Sequence, residues 1–154
     1  MAWWDVYRPK PEWLPEGELS ADVFKGLRTT NGDLSIYLVN EQQDSVNRVI
    51  AALACTRDSI SRIDYVLIPR EVVEDEFRVE HTSGNTADDE VNGSHVDVVE
   101  LTLSRLADFA YLVRDYSDSM KRVPERVVKS EIEKGIETNR IQFERIRKSL
   151  REKI

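Results

Sequence analysis

Two short apolar runs, Leu34–Val39 and Ile63–Ile68, bracket a stretch in which Val46, Val49, Ile50, Leu53 and Ala54 recur at steps of three and four. In the first run Leu34, Ile36 and Leu38 alternate with Ser35, Tyr37 and Val39, the period of a strand. The intervening spacing puts five apolar side chains on one helical face. Asp44 offers an N-cap, and the pattern carries the helix to about Ile60. Pro69 closes the second run. Strand, helix and strand with short connections predict a right-handed βαβ crossover. Phe77–His81 alternates too and predicts a third strand. Ala51, Ala52 and Ala54 predict close approach by another element.

Downstream the period changes. Val96, Val99, Leu103, Leu106, Ala107, Ala110 and Val113 form a stripe in which each residue has a neighbour three or four away, and predict one long buried helix over Ser94–Tyr116. Pro124 suits a first helical turn. Beyond it there is no further proline and Gly135 is the single glycine, so a single amphipathic helix of about 29 residues, roughly 43 Å, is expected. Ile132, Ile136, Asn139, Phe143, Ile146 and Leu150 step alternately by four and three, a short coiled-coil seam with one polar member. The fold class expected is a small α/β or α+β domain: a two- to three-stranded sheet with a βαβ unit, one long buried helix and a long C-terminal amphipathic helix.

Three segments differ in character. Residues 1–19 form an arm holding all three tryptophans, Trp3, Trp4 and Trp13, with Tyr7 among Pro9, Pro11 and Pro15. The prolines favour an extended path. The aromatics need an apolar surface, on this domain or on a partner. Residues 20–120 are the core domain; they include the end of a short helix over Leu19–Leu27 and a turn at Thr30–Asp33. Residues 121–154 are the basic helix. The net charge of −7 divides into −12 up to Met120 and +5 beyond it. This asymmetry points to an acidic protein partner, another copy, or a phosphate backbone.

Cys55 is the single cysteine, so no intrachain disulfide forms, which fits a reducing cytoplasm. No apolar run reaches about 18 residues, and the N-terminus lacks a signal-type apolar core; no membrane association is expected.

The segment EHTSGNTADDEVNGSH, residues 80–95, contains both histidines. His81, Asp88, Asp89, Glu90 and His95 combine imidazole and carboxylate, the donors of a hydrolytic metal site. Their spacing fits no H-E-x-x-H motif. Thr86 with Asp89, and Ser94 with Asp97, fit the capping pattern [ST]-x-x-[DE], and a helix entry with packed histidines explains the cluster as well. Cys55 sits roughly opposite the apolar stripe with no motif around it. Carboxylates follow both strands (Glu41 and Asp44; Glu71, Glu74 and Asp75), but no phosphate-loop or dinucleotide fingerprint accompanies them.

The reading is of a non-enzymatic interaction or assembly module without cofactor: a cytoplasmic subunit or accessory protein of a larger bacterial or phage complex. Its protein partner or second copy would be met by Trp3, Trp4 and Trp13 and by Ile132, Ile136, Phe143, Ile146 and Leu150. An alternative is a nucleic-acid-associated protein using Arg140, Arg145, Arg147, Lys148 and Arg151. A third is a metal-dependent hydrolase using His81, Asp88, Asp89 and His95.

Overall fold

The computed structural model describes residues 2–3, 19, 27–40 and 42–154. Within these the protein is mixed α and β, with two small sheets. The strands are β1 (Ala2–Trp3), β2 (Leu34–Tyr37), β3 (Ile63–Tyr65), β4 (Val79–His81), β5 (His95–Val98) and β6 (Lys121–Val123). The helices are α1 (Gln43–Ala54), α2 (Arg70–Glu76), α3 (Asp89–Gly93), α4 (Leu103–Asp115), α5 (Glu125–Glu137) and α6 (Lys148–Arg151). The sheet orders are β1-β3-β6 and β2-β5-β4. The expected helix over Leu19–Leu27 falls almost wholly outside the described residues. The chain forms two compact units, one of Met1–Ile36, Asp64–Glu80 and Asp97–Lys121, the other of Tyr37–Ile63, His81–Val96 and Arg122–Ile154.

In the first unit, Thr30 and Asp33 exchange backbone hydrogen bonds of 2.9 and 3.0 Å around Asn31 (φ 55°) and Gly32 (φ 85°). Positive φ at both central positions is what a tight hairpin turn asks of Asn-Gly. The Leu101 N–H donates to the Gly32 carbonyl at 2.9 Å. α4 begins where the Thr102 hydroxyl accepts from the Arg105 N–H at 3.3 Å. Phe109, fully buried, meets Phe77 edge-on at 5.2 Å, and Arg105 lies over the other ring at 4.4 Å from its centroid. The Arg105 guanidinium also donates to the Glu76 carbonyl, tying the start of α4 to the end of α2.

In the second unit α1 packs against α5. Ala51, Ala52 and Ala54 are all buried, and their small side chains allow the close approach the sequence implied. Val49, Ala52 and Val91 form a cluster against which Tyr37, Val39 and Leu53 pack. α5 follows Pro124, as expected, and buries Val128, Ile132 and Gly135.

Several expectations fail for identifiable reasons. β2 and β3 lie in different sheets, so the Asp44–Ile60 helix makes no βαβ crossover. The neighbour of β2 is instead β5, from residues read as the start of a helix. Ser35 donates to Asp97 at 3.0 Å and the Leu38 N–H to the Ser94 carbonyl at 2.8 Å, an antiparallel register. His95-Val-Asp-Val98 alternates at period two, and β-branched valines prefer the pleated surface. The buried helix is therefore Leu103–Asp115, shorter than Ser94–Tyr116. α1 starts at Gln43 without a side-chain cap and stops at Ala54 rather than near Ile60.

The long C-terminal helix is also cut short. α5 stops at Glu137, and Asn139 adopts the left-handed conformation (φ 56°). The Asn139 N–H donates to the Ile136 carbonyl at 3.0 Å and the Arg140 N–H to the Gly135 carbonyl at 2.9 Å. This pair of bonds is a Schellman closure, and Asn tolerates its left-handed position. The polar member of the heptad is thus the stop signal. The chain then turns back through a 3₁₀ turn at Phe143–Arg145 into α6, and the seam is not continuous. Ile132, Ile146 and Leu150 are buried within the chain, Ile136 is half-buried, and Phe143 is 42% exposed.

Replacing Asn139 by Gly is expected to raise unfolding stability by about 0.5 kcal/mol, and Asn139→Ile to lower it by about 1–2 kcal/mol. Denaturant melts check both; a gain from Ile would favour the continuous seam. A Cβ on Gly135 would fall 2.5 Å from Ile141 Cδ1 and 2.8 Å from its Cγ1. Gly135→Ala should therefore cost about 1–3 kcal/mol. Adding Ile141→Val should recover part of the loss, as a double-mutant cycle would read.

Candidate functional site

The polar segment at residues 81–96 is a folded unit of side chains bonding backbone. Asp88 is the N-cap of α3, two residues later than Thr86. Its Oδ1 accepts the Glu90 and Val91 N–H groups at 3.0 and 3.3 Å. Negative charge there also suits the helix N-terminus. The Asp88 side chain is only 1% exposed, and a buried carboxylate requires partners. Arg48, reaching from α1, supplies them with a two-pronged fork, Nε to Oδ2 at 2.6 Å and Nη2 to Oδ1 at 2.9 Å. Its remaining Nη1 donates to Glu90. The Asp88 hydrogen bond, reinforced by its charge and by Glu90, holds the guanidinium more firmly protonated than usual against the opposing effect of burial.

Before the cap, the backbone of Thr86 pairs with the side-chain amide of Asn92. Its N–H donates to Oδ1 at 2.6 Å, and Nδ2 donates to its carbonyl at 3.2 Å. The Thr86 hydroxyl accepts the Asp88 N–H at 3.2 Å and reaches the Asp88 carbonyl at 3.1 Å. Gly84 lies so near this pair that a Cβ would meet Asn92 Oδ1 at 3.0 Å and His95 Cβ at 3.2 Å.

The two histidines serve different parts of this scaffold. His95 is 7% exposed, with Nδ1 at 2.8 Å from the Thr82 hydroxyl and its ring edge-on to Tyr37 at 5.1 Å. His81 is exposed, and its Nε2 donates to the Gly93 carbonyl at 2.9 Å. Asp89 faces outward to Arg145 at 2.5 Å and accepts from Gln142 Nε2 at 2.9 Å. The hydrogen bond from Arg145 holds the Asp89 carboxyl below its ordinary range. His81, Asp88, Asp89 and His95 therefore each have a partner of their own, and among the described residues no three His, Cys, Asp or Glu side chains gather in a metal-holding group.

Cys55, which the helical spacing put opposite the apolar stripe, is fully buried at the C-cap of α1. α1 ends at Ala54, so that spacing no longer governs its direction. Burial, with Asp88 adding its charge, pushes the thiol up to about 12, far from the thiolate a nucleophile needs.

The C-terminal cations are mostly engaged with the chain itself. Arg140 donates to the Thr138 hydroxyl at 2.9 Å, and Arg145 holds Asp89. Arg147 pairs with Asp58 at 2.7 Å, and its backbone N–H donates to the Cys55 carbonyl at 3.0 Å. The Ser149 hydroxyl and Lys153 Nζ add bonds to Asp58, to its carboxylate at 2.8 Å and its backbone carbonyl at 3.2 Å. Arg151 is partly exposed with its Nε enclosed, and Lys148 is exposed. Of the arm, Trp3 lies in β1, whose antiparallel register sets Ala2 against Tyr65 and Trp3 against Asp64. Trp4 and Trp13 lie outside the described residues.

The Arg48–Asp88 clamp is the feature that sequence reasoning missed. The three acids Asp88–Glu90 were legible as a helix entry, though with Thr86 as the expected cap, but a partner forty residues earlier leaves no local pattern. Comparison with protein-family models, curated proteins and solved structures finds no match.

Arg48→Met should lower unfolding stability by about 3 kcal/mol, because it leaves a buried charge without its cation. A calorimetric or denaturant measurement checks this; a change under about 0.5 kcal/mol would deny the clamp its role. For Asp89 the sign follows from its lowered folded value: its contribution is present above the unfolded carboxylate range and is lost as pH falls through the folded one. Asp89→Asn should therefore lower the Tm near pH 7, with the gap to the parent closing as the pH drops below about 4.

Proposed function

We propose that this protein is a non-enzymatic interaction module that meets its protein partner through the N-terminal arm. The observation that supports this reading is the tether. The arm begins in β1, an edge strand of two residues in the β1-β3-β6 sheet. The tryptophan-rich sequence that follows carries the residue types that dominate binding hot spots. The heptad residues Ile132, Ile146 and Leu150 are covered by the chain itself, so the contact falls to the arm, with Phe143 as an exposed aromatic beside it in chemistry, if not in sequence. The C-terminal arginines offer a weaker case for nucleic acid, because Arg145 and Arg147 already neutralise Asp89 and Asp58.

Removing residues 1–18 should abolish capture of a stoichiometric protein partner while leaving far-UV circular dichroism of the remaining helices intact. Affinity capture with the full and shortened chains reads this directly. Equal capture by both would overturn the reading, and recovered nucleic acid in place of protein would transfer it to the C-terminal cations.

A further inference from the structure

We propose that Asn31 is a self-modification site: in the folded protein its side chain closes on the Gly32 backbone nitrogen to a cyclic imide, which water opens to aspartate and isoaspartate. Asn-Gly occurs at Asn31-Gly32 and at Asn92-Gly93, and the fold treats the two in opposite ways. Asn31 is exposed at the first central position of the Thr30–Asp33 turn. Among the described residues its amide side chain has no hydrogen-bond partner, and neither the Asn31 carbonyl nor the Gly32 N–H is bonded. Asn92 is 6% exposed and lies within α3. Its Oδ1 accepts the Thr86 N–H at 2.6 Å, its Nδ2 donates to the Thr86 carbonyl at 3.2 Å, and its own carbonyl accepts the Gly84 N–H at 2.9 Å.

The chemistry needs only water. The Gly32 nitrogen gives its proton to solvent base and attacks Asn31 Cγ. The N–Cγ bond forms, the Cγ–Nδ2 bond breaks, and ammonia leaves with a proton taken from water. Glycine presents no Cβ to crowd that approach. The ring holds Asn31 as the first central residue of a type II′ turn, at φ about +60° and ψ about −120°. Asn31 already stands at φ 55°. Only the peptide between Asn31 and Gly32 has to rotate, and Gly32 accepts either sign of φ. The bonds that hold the turn belong to the flanking peptides and survive the rotation: the Thr30–Asp33 pair at 2.9 and 3.0 Å, and the Leu101 N–H to the Gly32 carbonyl at 2.9 Å. Both primed turn types suit a hairpin, so the imide is accommodated. Water that cleaves the imide at Cγ leaves aspartate. Water that cleaves it at the Asn31 backbone carbonyl carbon leaves isoaspartate, whose main chain runs through Cβ and Cγ and is too long for a two-residue turn.

The unmodified full chain supplies the test. It is incubated at mildly alkaline pH, in native buffer and in urea, and peptide mapping by mass spectrometry reads each asparagine by the mass gained when OH replaces NH2. Reaction at Asn92 requires α3 to open first, whereas Asn31 reacts in place. In native buffer Asn31 is therefore expected to convert at least about tenfold faster than Asn92, and within about tenfold of its own rate in urea. Aspartate and isoaspartate forms of the Asn31 peptide should both appear, resolved by chromatography. A native Asn31 rate below either bound overturns the proposal. Conversion of Asn31 to aspartate alone also overturns it, because direct hydrolysis of the side chain would then replace the imide.

Discussion

The second unit is organised around one buried carboxylate. Asp88 is almost completely withdrawn from water, a position a charge holds only when its lone pairs are taken. Two backbone N–H groups at the start of α3 take one side, and the Arg48 fork from α1 takes the other. The pairing fixes where α3 begins. That in turn sets Val91 against Val49 and Ala52, and leaves Asp89 facing outward on the next position. Asp89 and the neighbouring Ala87 carbonyl then catch Arg145 and Gln142 as the chain returns from α5.

That return has its own cause. The Schellman closure at Gly135–Arg140 ends α5, and the missing side chain at Gly135 lets Ile141 lie against the helix it has just left. Ile141, Ile146 and Leu150 are then buried, and Asp58 accepts from Arg147 and Ser149. A segment with the composition of a projecting basic helix is folded against its own unit.

The legible parts of the sequence were those decided locally. The Asn-Gly turn needs positive φ at two adjacent positions, and the alternating run at Leu34 and the stripe from Val46 each satisfy one period over several residues. The close approach of another element to α1, expected from three alanines, also followed from side-chain size. The illegible parts were decided at long range or by a single residue. Which strand pairs with β2 depends on contacts about sixty residues apart, so Leu34–Val39 and Ile63–Ile68 looked like neighbours and are not. Val96 fits both a helical stripe with Val99 and a strand alternation with Val98. Asn139 fits a heptad and a helix stop equally well, and only the backbone beyond it decides. At the candidate site, Asp88–Glu90 read correctly as a helix entry, while the buried Arg48 partner left no trace in the local pattern.

The proposed use of the arm as the partner contact follows from Ile132, Ile146 and Leu150 being covered by their own unit. That account depends on the second unit being closed in the isolated chain, with its C-terminal residues committed to their own fold. Native-state hydrogen exchange in dilute solution tests this most directly. The amides of Val91, Gln142, Arg147 and Leu150, each hydrogen-bonded here, are predicted to be protected and to open together, at the same free energy as the amides of α1. Free exchange of Gln142, Arg147 and Leu150 while α1 stays protected would contradict the account and return the C-terminal segment to partner binding.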